Sequence, residues 1–147
     1  MIYIGIDPGA KGAMALVGVK DGPEIIPFDQ QRYIDRLWMY QIDGYDMICC
    51  IEAVHSISGQ GIASSFKFGQ TFGWLLGMLD SIGIPYQPIN PQKWKKEFGL
   101  NSDKAASIEV CKRLYPNVSL LRTERSKKED DGMAEALLMA TYAKRKF

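Results

Sequence analysis

Histidine occurs once in this chain of 147 residues and cysteine three times, and no CxxC pair or other ligand spacing joins them. That poverty argues against a zinc site built on thiolates and imidazoles. Cys49 and Cys50 fall in an apolar run that reads as a buried strand, and together with Cys111 they are expected to be reduced core residues. Long hydrophobic runs are also missing. None approaches the ~20 residues of a membrane span, and the opening MIYIGID has no basic segment ahead of a signal-peptide core, so the expectation is a cytoplasmic protein. An excess of either charge is absent as well: 18 Lys and Arg stand against 17 Asp and Glu, a net charge of +1 that does not advertise a polyanionic partner. No repeat or low-complexity tract appears. What is present, 46% apolar and 24% charged residues, suits a soluble globular protein, and the length suits one domain spanning residues 1–147.

Hydrophobic periodicity orders the chain. Ile2 to Ile6 reads as a short strand ending at Asp7, followed by a turn at Pro8-Gly9 and Gly12 and a second strand over Ala13 to Val19. Asp21-Gly22-Pro23 turns the chain into a third strand, Glu24 to Phe28, which completes an antiparallel meander. Gln31 to Gln41 carries Ile34, Leu37 and Trp38 at helical spacing. Met47 to Val54 is a continuous apolar run broken only by Glu52, as befits a central strand covered on both faces. Ser, Gly and Gln from Ser56 to Ser65 predict a mobile loop, and a helix over Ser65 to Ser81 closes at Gly83. Within that helix Gly69, Gly73 and Gly77 recur every four residues, a flat ridge expected to serve a core or dimer contact. Tyr86 to Ile89 is a short strand, Pro91 starts a helical turn through Phe98, and Ser102 or Asp103 caps a helix running to Tyr115. A last helix begins near Glu129 or Asp130. The expected class is α/β: a mixed central sheet, antiparallel meander then parallel strands, with helices on both faces.

Four acids sit beside strongly apolar sequence. Asp7 ends a strand just before Pro-Gly, where it is either an ordinary turn residue or a side chain at the carboxyl edge of the sheet, the place where α/β proteins build their sites. Glu52 interrupts MICCIEAV, a stretch otherwise fit for burial in which glutamate is out of place. Asp131 and Glu135 are four residues apart, on one face of a helix, where two like charges repel by a few tenths of a kcal/mol. Asp130 is assigned to the helix cap and Asp131 to metal. Ionised oxygens withdrawn from water cost several kcal/mol unless neutralised. A pair of divalent cations would neutralise these four, and the set is what a two-metal phosphodiester-cleaving site requires.

Bases cluster although their total is balanced. Lys93, Lys95 and Lys96 fall within four residues with Lys104 nearby, and Arg122, Arg125, Lys127 and Lys128 precede the last acidic group. Solvated surface explains such lysines as well as a polyanion-facing patch does.

The motif IGIDPG, the strand ending in Glu52 and the terminal DGMAEALLMA together resemble the RuvC family of Holliday-junction resolvases, within the RNase H-like fold. Lys67-Phe68-Gly69-Gln70 with Gly73 resembles that family's KxGQxxG helix, and Pro91 to Lys95 with Lys104 resembles its lysine-bearing segment. The likeness runs nearly end to end. It implies that Asp7, Glu52, Asp131 and Glu135 are the metal-binding tetrad, with one departure: bacterial members carry the last pair three residues apart, whereas Gly132 stands at that position here. It also implies that Lys104, joined by Lys95, lies near the cleaved strand, that Lys11, Lys67, Lys93 and Lys96 meet backbone phosphates, and that His55 stands where bacterial members insert an aromatic residue into the junction. There an imidazole either stacks on a base, contacts a phosphate or is an ordinary loop histidine.

The expected activity is a structure-selective endodeoxyribonuclease cutting four-way junctions by paired symmetric nicks. Two Mg²⁺ ions, with Mn²⁺ as the substitute, would lie ~4 Å apart and leave 5′-phosphate and 3′-hydroxyl ends. Paired cuts imply a homodimer acting on branched DNA, in recombination, repair or branch processing. A ribonuclease H-like or general branched-DNA nuclease would use the same acids. A non-catalytic junction-binding protein would have no need of all four, and 147 residues are too few for the two lobes of an actin-like ATPase.

Overall fold

The computed structural model describes residues 1–53, 61–101 and 104–147, with Lys104 described by its backbone alone. The meander forms as its turns dictate. β1 (Ile2–Asp7) pairs antiparallel with β2 (Ala13–Val17), and β2 with β3 (Glu24–Pro27). On the other side of β1, β4 (Met47–Glu52) and then β5 (Tyr86–Ile89) add in parallel, giving the mixed order β3-β2-β1-β4-β5. Connections into the parallel strands run through helices, as parallel pairing demands.

α1 (Gln30–Ile42) is capped by Asp29, whose carboxylate accepts from Arg32 N at 2.9 Å. α2 (Ile62–Ile82) ends at Gly83, which takes the left-handed conformation at φ 80°. α3 (Pro91–Glu97) starts with proline at its first turn, where no amide donor is missed, and Asn90 caps it. α4 (Lys104–Leu114) stops two residues before Pro116, and α5 (Asp131–Lys146) is the last helix.

Alternation along β1 separates two apolar layers. Ile2, Ile4 and Ile6 pack with Tyr33 and Leu37 of α1 and Leu75 and Leu79 of α2. The opposite face meets α5, which lies across β1, β2 and β4 and is buried from Gly132 to Ala143. Gly5 explains how close α5 comes: a Cβ there would collide with the Ala136 carbonyl oxygen and the Ala140 amide nitrogen. Cys49, Cys50 and Cys111 are buried free thiols, as expected of core residues.

Two expectations are corrected. The loop drawn from Ser56 to Ser65 is too long, because α2 already begins at Ile62; Ser64 and Ser65 occupy its first turn, where short polar side chains are compatible with helix. Residues 54–60, and the Ser102 or Asp103 cap, lie outside the described residues. Of the two contacts expected of the α2 glycine ridge, the core contact is overturned: among the described residues a Cβ on Gly69, Gly73 or Gly77 would meet nothing within 4 Å. Among the described residues no helix is long and apolar enough to cross a membrane.

Candidate active site

Asp7 and Glu52 end neighbouring parallel strands whose register pairs Ile6 with Ile51, so the two acids follow side by side at the carboxyl edge of the sheet. Strand parity turns both toward the α5 face, the side on which Gly5 and Cys50 also lie. From that face α5 brings Asp131, its first residue, and Glu135 one turn later. Gly132 makes the approach possible: a Cβ there would stand 2.7 Å from the Lys11 carbonyl oxygen and 2.9 Å from Asp7 Oδ2.

Burial, with neighbouring charge behind it, holds Asp7 and Glu52 away from ionisation. Asp7 keeps some solvent contact, yet burial, and after it Glu52, Glu135, Asp131 and Asp130 in turn, push its carboxyl well above the ordinary aspartate range. Burial also raises Glu52, helped by Glu135 and opposed by a hydrogen bond from Trp94 and the charge of Lys95. Both opposing groups come from α3. Trp94 is fully buried and donates Nε1–H to Glu52 Oε1 at 3.1 Å. Lys95 Nζ lies 3.0 Å from Glu135 Oε1 and 5.2 Å from the Trp94 ring centroid, and Ser107 of α4 donates to the same glutamate oxygen at 3.5 Å.

Chemically the donor set fits divalent cations: carboxylate oxygens, mutually repelling, at a partly dry edge. As they stand, no three His, Cys, Asp or Glu side chains among the described residues are gathered closely enough to hold an ion. Glu52 and Glu135 are instead drawn to Trp94 and Lys95.

The bases divide by position. Lys11 is exposed in the β1–β2 turn, and Lys67 lines a groove of about 230 Å³ beside Ala10 of that turn. Lys93 and Lys96 occupy another face of α3 and, with Lys146, line an open cleft of about 630 Å³ beside β5. Lys95 therefore stands apart from them, with the acids rather than in the cleft. Lys104 opens α4 three residues before Ser107, and His55 lies outside the described residues. Asp130 takes the capping role expected of it, accepting from Met133 N at 2.9 Å.

Arg122 corrects the expectation of an outward basic cluster. Its guanidinium turns inward onto Asp130, while Arg125, Lys127 and Lys128 stay exposed. Trp94 and Ser107 have no part in the expectations from sequence, and Gly132 enters them only as a departure in spacing. Only Trp94 carries a signal, since a buried indole usually finds a partner for its N–H.

No family model matches the chain, and no curated protein matches it. Solved structures do. Thermus thermophilus RuvC in complex with a Holliday junction substrate is similar with a TM-score of 0.64 and 18% identity, covering 95% of this chain and 90% of that one. A second Thermus thermophilus RuvC structure gives 0.56 at 18% identity, covering 99% and 96%. The chain has an RNase H-like fold. Both of these similar structures, with that fold, are of Thermus thermophilus RuvC.

Proposed function

We propose that this protein is a metal-dependent, structure-selective endodeoxyribonuclease that resolves four-way DNA junctions. The observation that supports the reading is that the charges of Glu52, Glu135 and Asp131 all act on Asp7 at the carboxyl edge of a sheet whose fold is similar to that of RuvC, one of whose similar structures holds a Holliday junction. These carboxylates would hold two Mg²⁺ or Mn²⁺ ions, which when bound supply Lewis-acid stabilisation and an activated water for phosphodiester hydrolysis.

The chain's own residues do the rest. Trp94 would orient Glu52 through Nε1–H, and Lys95, 3.0 Å from Glu135, would offer a cation for charge developing on the scissile phosphate. Lys104 is assigned to that same task. Lys11 and Lys67 would meet phosphates of one stretch of backbone, and Lys93 and Lys96, which line a cleft with Lys146, those of another. His55 is assigned to the junction centre. Symmetric nicking requires two sites, so the working unit is a homodimer, and the exposed glycine face of α2, where a second backbone could approach closely, is its proposed contact.

Cleavage of a labelled, immobile four-way junction with Mg²⁺, beside linear duplex and an RNA–DNA hybrid, tests the reading. Paired symmetric nicks on the junction alone, lost in Asp7→Asn while binding persists, are expected. Preferential cutting of the hybrid would replace it with a ribonuclease H-like function, and tight junction binding without cleavage by wild type would leave a binding protein.

A further inference from the structure

Arg122 joins both halves of the candidate site. Its Nε donates to Asp130 Oδ2 at 2.8 Å and its Nη2 to Asp130 Oδ1 at 3.0 Å, a two-point fork on the carboxylate. The same Nη2 reaches the carbonyl of Lys11 and, at 3.3 Å, that of Gly12. Lys11 and Gly12 belong to the turn that follows Asp7; Asp130 immediately precedes Asp131 and caps α5 through Met133 N. Asp130 N is itself tied to the Leu120 carbonyl at 2.8 Å, so the segment bearing Arg122 is fixed at both ends of the bridge. Directly beside it, Gly132 leaves no room for a Cβ between α5 and the Lys11 carbonyl and Asp7 Oδ2.

We propose that Arg122 is a positioning residue that sets the separation between Asp7 on β1 and Asp131 and Glu135 on α5, and thereby the affinity of the acidic site for divalent cations. This rests on the metal-dependent reading above. A lysine in its place keeps the charge but is a single point donor, unable to fork on Asp130 and reach the turn carbonyls together. Partners that orient metal ligands from outside the coordination sphere typically change metal affinity by about 10–100-fold when replaced.

The test is Mn²⁺ binding to the protein without DNA, followed by electron paramagnetic resonance, in wild type, Arg122→Lys and Asp130→Asn. Asparagine keeps the helix cap at position 130 while removing the charged fork. At least tenfold weaker Mn²⁺ binding in Arg122→Lys is expected, with circular dichroism unchanged and the Michaelis constant for junction DNA little altered. The double variant should be no weaker than the poorer single variant, because both remove one bridge. Equal Mn²⁺ affinity in wild type and Arg122→Lys would overturn the proposal even if the variant melted earlier, since a merely structural bridge changes stability alone. Should Arg122→Lys fail to fold, Asp130→Asn decides by the same comparison. Wild type that binds no Mn²⁺ would remove the metal-dependent reading and this inference together, an outcome distinct from loss in the variants only.

Discussion

Replacing Asp7 by asparagine should stabilise the metal-free protein while abolishing its proposed activity. In the fold, burial and the charges of Glu52, Glu135, Asp131 and Asp130 all raise the Asp7 carboxyl. An acid whose pKa is higher folded than unfolded favours the native state fully below its unfolded value, and that contribution disappears as pH rises through the folded value. Glu52 is raised as well and acts in the same sense. Metal-free wild type should therefore lose stability as pH climbs from about 4 toward neutrality and beyond, and Asp7→Asn should flatten that decline. Relieving one crowded charge at a functional site is worth about 0.5–2 kcal/mol. For a chain of this length ~1 kcal/mol moves the midpoint by roughly 3 °C, so the variant should melt about 2–6 °C higher at pH 8. Mg²⁺ should reverse the order, because an ion present at 100 times its dissociation constant adds about 2.7 kcal/mol to the form that binds it. Scanning fluorimetry from pH 4 to pH 9, with chelator and with Mg²⁺, reads both effects. A variant that melts lower than wild type in chelator at pH 8 would refute the electrostatic account, as would a wild-type midpoint indifferent to pH.

Gly132→Ala should impair the site from inside, because its Cβ would press on backbone at Lys11 and on the Asp7 carboxylate; about 1–3 kcal/mol of stability and most junction cleavage should be lost, as read by denaturant titration and single-turnover assay. Trp94→Phe keeps most of the apolar volume and removes only the donor to Glu52, so a folded variant with about 10–100-fold lower activity is expected, and unchanged kinetics would show that Glu52 needs no such orientation. Gly73→Ala, on the open face of α2, should raise the melting temperature of a monomer through helix propensity worth ~1 kcal/mol. Gly73→Arg on the same face should convert a dimer to monomer in sedimentation velocity, and a dimer that persists would move the interface elsewhere.

What sequence alone reveals of such a site depends on whether a residue is anomalous where it stands. Asp7 and Glu52 are: each closes an apolar strand, and parallel register then sets them side by side without any special contact. Asp130 and Asp131 likewise separate into cap and first helical residue by local rules. The start of α2 was missed for the opposite reason, since Ser and Gly are local signals for loop and only the helix that follows overrides them. Arg122 illustrates a deeper limit. Its bond to Lys11 joins residues 111 positions apart, and nothing near Arg122 distinguishes it from Arg125, which stays in solvent.

The run Lys93 to Lys96 shows how far helical geometry can narrow that limit. Residues 93 and 96 share a helical face, and Lys93 and Lys96 indeed both line the cleft beside β5. Trp94 is driven to the opposite, apolar side by its ring, and Lys95 follows it closely enough to lie 5.2 Å from that ring. A cation placed there enters the low-dielectric edge occupied by Glu52 and Glu135, where its charge counts for more than on the surface. Reading the three lysines as one basic patch averages over two environments; a helix with a buried tryptophan separates Lys93 and Lys96, in the cleft, from Lys95, which meets Glu135.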